Sequence, residues 1–239
     1  MVRDLPYVGP PEAGVVFRVA RSFDVFTPSD WSLAEEDGTF GNRFDDPGAY
    51  RGIKENDRFR AIYCATQRAG AFGETIARYR RSPKLVAALE QIDDEDHLEP
   101  ELVGGILPEE WRLERYLGTT RLDEYLLFVD FAAPETFQVL TEQLAGLLIQ
   151  FGLEEFDLSV ITSRQRRLTQ EAARYVYELS NTGLTFAGIR YLSRLNLNWE
   201  LWAIFHDRMV NTPEEILETI RYDDIGLREA ASVLDIEIE

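Results

Sequence analysis

The sequence contains few of the residues that most often build disulfides and zinc sites. Its 239 residues include one cysteine, Cys64, and two histidines, His97 and His206. A lone cysteine cannot form a disulfide within the chain, and no grouping of cysteine with histidine is typical of a zinc site. Because Cys64 lies within the apolar run 61–65, we expect a small buried side chain there. The sequence therefore predicts no metal site.

Positive charge is also scarce. The chain has 25 Lys and Arg against 43 Asp and Glu, which gives a formal net charge of −18. That field repels the phosphate backbone of nucleic acids and the surface of an anionic membrane, so neither is an expected partner. Small anions are still possible ligands, because a local group of arginines inside a cleft can outweigh the negative field of the whole chain.

Long apolar runs and common catalytic motifs are missing as well. No run approaches the roughly 20 residues of a membrane span, and residues 1–10 are polar and proline-rich, unlike a signal peptide, so the expected location is the cytoplasm. The motifs GxGxxG, GxxxxGK[ST], HExxH and GxSxG do not occur. The two histidines are far apart in sequence, which argues against a histidine-centred triad. Catalysis would have to rest on carboxylate, arginine, hydroxyl and phenol groups.

The composition is that of a globular protein, with 45% hydrophobic and 28% charged residues. Apolar patterning predicts the strands 15–19, 59–65, 111–117, 126–131, 186–192 and 201–205. It predicts the helices 69–89, 141–151 and 169–179. Strands and helices mix without regular βαβ alternation, so the expected fold class is α+β.

The two ends of the chain differ from its middle. Residues 1–14 are rich in proline and glycine, and we expect an N-terminal lead there, followed by a domain over 15–207. Thr212 and Pro213, followed by two glutamates, are typical of a helix start. The sequence therefore predicts an acidic, helical and peripheral tail over 208–239. An acidic connector is expected at 93–101.

Three segments carry residues suited to chemistry. They are 40–47 (FGNRFDDP), 61–65 (AIYCA) with 71–75 (AFGET), and 188–194 (GIRYLSR). In this order they resemble the RES domain family, which is named for an arginine, a glutamate and a serine. Phe17-Arg18-Val19 and several segments further along are also similar, so the resemblance covers roughly residues 15–207. Asn42 and Leu192 differ from the glycine and proline that many members have at those positions.

The resemblance implies a fold, an activity and a partner. The family's fold is similar to that of ADP-ribosyltransferase toxins, with a core of two small, mainly antiparallel sheets, flanking helices, and NAD⁺ in the cleft between the sheets. Characterised members degrade NAD⁺ by hydrolysis or phosphorolysis and are toxins of RES–Xre toxin–antitoxin modules. NAD⁺ would be the substrate, with no further cofactor, and an Xre-family antitoxin would be the protein partner. The net charge of the chain favours a basic surface on such a partner.

The resemblance also implies the site residues. Glu74, Arg43 and Ser193 match the residues that name the family and are the expected catalytic set. Arg43, Tyr63 and Ser193, joined by Arg18, are the expected NAD⁺-binding set. A carboxylate stabilises the oxocarbenium-like transition state, and arginine binds a diphosphate through a planar fork of donors. Tyr63 could stack on the cationic nicotinamide ring.

Each assignment has a structural alternative. Glu74 could complement a helix dipole, and Arg43 could pair with Asp45 or Asp46. Tyr63 could be a core aromatic and Ser193 a turn residue. The basic run at 164–167 resembles an anion site, but such runs more often lie on a solvated face, so it is expected outside the site. At the level of the whole protein, two alternatives are an ADP-ribosyltransferase that modifies a macromolecule and a non-catalytic nucleotide-binding protein.

Overall fold

The computed structural model describes residues 5–81, 104–163, 165–179, 184–209 and 215–239. Its strands are β1 Tyr7–Val8, β2 Val15–Ala20, β3 Ala61–Ala65, β4 Ile106–Leu107, β5 Tyr116–Arg121, β6 Phe128–Asp130, β7 Gly188–Leu192, β8 Glu200–Phe205, β9 Ile216–Thr219 and β10 Glu237–Ile238. Its α-helices are α1 Arg68–Ile76, α2 Glu109–Leu113, α3 Pro134–Gln143, α4 Ala145–Gln150, α5 Leu158–Thr162, α6 Arg166–Glu178 and α7 Ile225–Leu234. The expected α+β class is confirmed. None of the helices described is long and apolar enough to cross a membrane.

Eight of the strands form one sheet in the order β1-β6-β7-β8-β3-β2-β5-β9, and β4 pairs with β10 in a second, parallel sheet. In the large sheet only β6 and β7 are parallel; the other neighbours are antiparallel. The mainly antiparallel character expected from the resemblance is therefore present. Along β2 (VVFRVA) the two buried residues are Val16 and Val19, which belong to two different core clusters, so both faces of the strand contact core residues.

The large sheet consists of two parts that meet at one point. β2 pairs with β5 over six positions and β3 pairs with β8 over five, but β2 and β3 share the single register pair Phe17↔Ala65. The three-stranded part β2-β5-β9 therefore separates from the five-stranded part along most of their shared edge. Two small sheets were expected, and the structure has these two parts joined into one large sheet. The cavity described below lies in the space between the two parts.

The stretch expected to be a strand at 111–117 is a helix followed by a strand. Pro108 caps α2, and Glu109 and Glu110 lie in its first turn, where carboxylates complement the helix dipole. β5 begins only at Tyr116. The strand prediction was wrong for 111–115, because the buried Trp111 belongs to a short amphipathic helix rather than to a strand.

Two predicted helices also differ in extent. The helix expected over 141–151 is divided into α3 and α4 at Leu144, whose φ and ψ of −106° and 14° are not helical. The helix expected over 69–89 is α1, followed by a 3₁₀ turn at Ala77–Tyr79. Residues 82–89 and the predicted acidic connector lie outside the described residues.

The C-terminal segment is not a peripheral helical tail. Thr212 and Pro213 lie outside the described residues, but the helix expected to start there is replaced by β9, which pairs with β5 over four positions. α7 packs along α1 and places Leu227 and Ala231 in the same core cluster as Phe72. The prediction of a peripheral tail was wrong because this segment supplies apolar side chains that the core needs. The predicted domain boundary at 207 stays a prediction.

Candidate functional site

A cavity of about 670 Å³ opens where β2 and β3 separate. Its lining comes from β2, β3, α1, the loop before β3, the start of α6 and the end of β7. All the residues that the sequence proposed for the site line this one cavity: Arg18, Arg43, Tyr63, Glu74 and Ser193. The volume lies within the range of small-molecule sites, about 300–1,000 Å³.

Glu74 is positioned by close packing between α1 and Trp199. A Cβ atom added at Gly73 would lie 2.1 Å from Trp199 Cζ3, so only glycine allows α1 to approach this ring. The backbone carbonyl of Trp199 accepts a hydrogen bond of 2.9 Å from the N–H of Ser193. The same tryptophan therefore sets the positions of both Glu74 and Ser193.

Ser193 holds the Glu74 carboxylate by a direct hydrogen bond. Its hydroxyl donates to Glu74 Oε1 at 2.6 Å and accepts from the backbone N–H of Leu195 at 3.0 Å. Ser193 is 1% exposed, whereas Glu74 is exposed toward the cavity. The hydroxyl is thus fixed on the protein side, and the carboxylate keeps an oxygen free for a ligand. This contact joins two segments that lie 119 residues apart in the sequence.

The loop that carries Arg43 is built around Asp45. The Asp45 carboxylate accepts the backbone N–H groups of Phe40 and Asn42 at 2.9 and 2.7 Å. Gly41 has a φ of +69°, the left-handed conformation that glycine adopts without strain. The carbonyl of Asn42 accepts a hydrogen bond from Gln170 on α6. These contacts fix the loop against α6, so Arg43 projects from a rigid support.

Arg43 is not used in an ion pair with the neighbouring aspartates. Asp45 binds the loop backbone, and Asp46 pairs with Arg174 at 2.9 Å. The Arg43 guanidinium donates to the Ser163 carbonyl at 3.4 Å. Burial lowers the pKa of Arg43, and the nearby charges of Arg166 and Arg194 lower it further. Among the described residues, no carboxylate forms an ion pair with Arg43. The alternative in which Arg43 pairs with Asp45 or Asp46 is therefore not observed.

Tyr63 combines a structural hydroxyl with a ring that lines the cavity. Its oxygen accepts from the backbone N–H of Phe44 at 3.0 Å, and its O–H donates to Asp45 Oδ1 at 3.2 Å. Burial and the adjacent Asp45 carboxylate raise the pKa of Tyr63 well above its usual value of 10. The phenol therefore stays neutral and supports the Arg43 loop, while the ring face remains available to a ligand.

Arg18 lies on β2, across the opening from Tyr63. Its guanidinium donates to the Thr27 carbonyl at 3.5 Å. Burial lowers the pKa of Arg18, while the charge of Glu215 opposes that shift. Cys64, on the neighbouring strand, is 4% exposed, and burial raises its pKa to about 12. Cys64 is therefore a small buried side chain, as the sequence predicted, and its burial disfavours the thiolate.

Five further arginines and one tyrosine line the cavity without having been expected there: Arg60, Arg78, Arg80, Arg166, Arg194 and Tyr191. Tyr191 lies two residues before Ser193, so the period of a strand could have indicated Tyr191. Arg194 directly follows Ser193, and only this adjacency could have indicated it. Arg166 belongs to the run that was expected on a solvated face. Its inward position depends on where α6 begins, which the local pattern does not reveal.

The charges around the cavity form an unusual set. Among the described residues, seven arginines line the cavity, and Glu74 is the one carboxylate of the lining. None of these seven makes an ion pair with a carboxylate of the described ranges, whereas ten other arginines of the described chain do. A chain with a net charge of −18 therefore surrounds one cavity with unpaired positive charge. Such a cavity suits an anionic ligand.

The two histidines contribute nothing to this set. His206 follows β8, outside the cavity lining, and burial lowers its pKa. His97 lies outside the described residues. The described part of the chain contains no group of three or more His, Cys, Asp or Glu residues arranged to hold a metal ion.

Comparison with known proteins gives one family. The model of the RES domain matches residues 15–224 of this chain. No curated protein matches the sequence. Among solved structures, the chain is similar to a chain of the M. tuberculosis MbcT–MbcA toxin–antitoxin complex, at 13% identity and a TM-score of 0.47, over 86% of this chain and 84% of that chain.

Proposed function

This chain belongs to the RES domain family, and we propose that it is an enzyme that cleaves the nicotinamide–ribose bond of NAD⁺. One observation carries the proposal: a single carboxylate, held by a serine, faces a cavity whose seven arginines have no carboxylate partner in the described residues. NAD⁺ needs both features, because it carries a diphosphate and its cleavage develops positive charge on the ribose.

Glu74 supplies the electrostatic part of the reaction. Loss of nicotinamide leaves an oxocarbenium-like ribose, and a carboxylate fixed beside it lowers the energy of that transition state. Ser193 is bound to Oε1, so it restricts the rotation of the Glu74 carboxylate and leaves Oε2 for the ribose. Nicotinamide departs as a neutral molecule, so this step requires no strong general acid.

Arg43, Arg18 and Tyr63 supply binding. Guanidinium groups bind phosphoryl oxygens through paired hydrogen bonds, and Arg43 is carried by a loop fixed at Asp45. The ring of Tyr63 lines the same cavity and offers an aromatic face to the cationic nicotinamide. Once nicotinamide has left, either water or phosphate completes the reaction at the exposed face of the ribose.

A transferase that places ADP-ribose on a macromolecule uses the same first step, and it is the second candidate. An enzyme that consumes NAD⁺ in the cell has to be restrained, and an Xre-family antitoxin is the partner proposed for this chain. The net charge favours a basic surface on that partner, but the cavity itself is lined by arginines. Any partner segment that enters the cavity should therefore present Asp or Glu there.

The proposal is tested by product identification. Purified protein is incubated with NAD⁺, with and without inorganic phosphate, and the products are separated by chromatography. Free nicotinamide with ADP-ribose indicates hydrolysis, and free nicotinamide with a phosphorylated ADP-ribose indicates phosphorolysis. Free nicotinamide with a labelled protein band would indicate the transferase. If no condition releases nicotinamide, the proposed activity is wrong.

A further inference from the structure

We propose that Arg43, Arg166 and Arg194 together form a phosphoryl-binding site beside Glu74. The three residues come from the loop before β3, the start of α6 and the turn after β7, and all of them line the cavity. Nothing in the sequence pattern unites them, because more than 100 residues separate Arg43 from the other two. The fold alone creates the group.

The three arginines line one cavity, and the charges of Arg166 and Arg194 act on Arg43. After burial, the neighbouring charges that lower the pKa of Arg43 are those of Arg166 and Arg194. Two groups oppose this shift, Tyr191 and Glu74. Arg43 thus stands among two like charges on one side and the candidate catalytic carboxylate on another. An anion between the three guanidinium groups would relieve their mutual repulsion.

The hydrogen-bond capacity of the three arginines is largely unused. Arg43 donates to one carbonyl oxygen, that of Ser163. Arg166 Nη1 is shielded from solvent and has no hydrogen-bond partner in the part of the chain that the structure describes. A guanidinium has five N–H donors, and shielded donors without acceptors destabilise a protein. An anionic ligand in the cavity would supply acceptors for these donors.

The position of Arg166 adds to the positive potential. It is the first residue of α6, a helix of 13 residues whose N-cap, Gln165, makes no capping hydrogen bond through its side chain. The partial positive charge of a helix N-terminus favours an anion nearby. Together with three guanidinium groups, this environment suits a phosphoryl group with several charged oxygens better than a single carboxylate.

The phosphoryl group that binds at this site could come from two sources. The phosphoryl group could belong to the diphosphate of the dinucleotide, or it could be free inorganic phosphate that attacks the ribose. The diphosphate is the ligand only if the proposed function, cleavage of NAD⁺, is correct. The proposal of an anion site does not depend on that function. Two probes separate the sources: ADP-ribose, which carries the diphosphate, and inorganic phosphate alone.

The test compares the Arg166→Gln and Arg194→Gln variants with the unmodified protein by isothermal titration calorimetry. Each substitution removes a charge-assisted contact, so we expect about tenfold or greater weakening for at least one probe. Arg221→Gln is the matched control, because Arg221 pairs with Asp223 at the surface and does not line the cavity. The control should bind both probes within about twofold of the unmodified protein.

The outcomes assign the ligand. Weakening for ADP-ribose alone identifies the diphosphate, weakening for phosphate alone identifies the free anion, and weakening for both identifies a shared site. Unchanged binding of both probes by both variants overturns the proposal, even if the protein cleaves NAD⁺. Conversely, arginine-dependent binding without release of nicotinamide from NAD⁺ would leave the anion site standing and refute the proposed function.

Discussion

Arg166 and Arg167 are neighbours at the start of α6, yet they belong to different parts of the molecule. Arg166 lines the cavity and makes no ion pair with a carboxylate of the described residues. Arg167 pairs with Glu171, one helical turn later, and its guanidinium lies 3.7 Å from the centroid of the Tyr50 ring. One arginine is available to a ligand, and the other holds the protein together.

The same difference separates the cavity from the rest of the described structure. Outside the cavity, arginines and carboxylates are combined in ion pairs: Asp46 with Arg174, and Arg68 with Glu218 and with Asp224. Inside it, neither the arginines nor Glu74 has an ion-pair partner among the residues described. Charges outside therefore contribute to stability, and charges inside are free to act on a ligand. The following predictions test this division.

The largest effect is expected for Glu74→Gln, which removes the one carboxylate of the cavity lining while preserving its size. We expect kcat to fall about 100-fold or more, the magnitude typical of one lost electrostatic stabiliser, with a smaller change in affinity for NAD⁺. The melting temperature should stay close to that of the unmodified protein. Glu178→Gln is the control, because Glu178 pairs with Arg174 outside the cavity, and its kcat should be unchanged. Normal turnover by the Glu74 variant would remove that residue from the mechanism.

Ser193→Ala should have the next largest effect. It removes the hydrogen bond to Glu74 Oε1 and leaves the N–H of Leu195 without its acceptor. We expect kcat to fall about tenfold because the carboxylate loses its fixed orientation. Steady-state kinetics with NAD⁺ measures this, and a change confined to KM would show that Ser193 binds substrate rather than orienting Glu74.

Arg43→Lys keeps the charge but loses the planar fork of donors. We expect binding of both NAD⁺ and ADP-ribose to weaken, by roughly three- to tenfold, because both carry the diphosphate. Calorimetry with ADP-ribose gives the result without turnover. A lysine variant that binds ADP-ribose as tightly as the parent would indicate that Arg43 serves only to hold its loop near Ser163.

Arg167→Gln should act on stability alone. Its ion pair with the buried Glu171 is lost, although Arg51 still contacts that carboxylate. We expect the free energy of unfolding to fall by about 1 kcal/mol, measured by urea denaturation, with ADP-ribose affinity unchanged. Arg166→Gln should show the reverse pattern. Equal effects of the two substitutions on affinity would contradict the division between the cavity and its surroundings.

Local sequence signals predicted much of the fold. Short apolar runs identified β2 and β3, and the amphipathic pattern at 169–179 identified most of α6. They failed at 111–115, where a buried tryptophan was interpreted as part of a strand, and at 216–219, where a helix was expected. The second failure is instructive: Ile216–Thr219 forms a strand because β5 offers it an edge, and that edge is remote in sequence.

The site was predicted in a similar way. The resemblance of three segments to the RES domain family implied Arg43, Glu74 and Ser193, and the structure brings all three to one cavity. The run that contains Arg166 resembled an anion site, but it was left out of the predicted site because such runs more often lie on a solvated face. The sequence did not reveal the contact between Ser193 and Glu74, which joins residues 119 positions apart.

What the sequence determined by itself is therefore local: many of the strand and helix periods, the buried Cys64, and the residue types of the candidate site. What only the tertiary structure decided is which charges pair. An ion pair forms when two groups come within about 4 Å, and this distance depends on how β2, α1 and α6 are placed around the gap in the sheet. The net charge of −18 gave no sign of an arginine-lined cavity, because a net charge sums over the whole chain, whereas a ligand responds to the charges beside it.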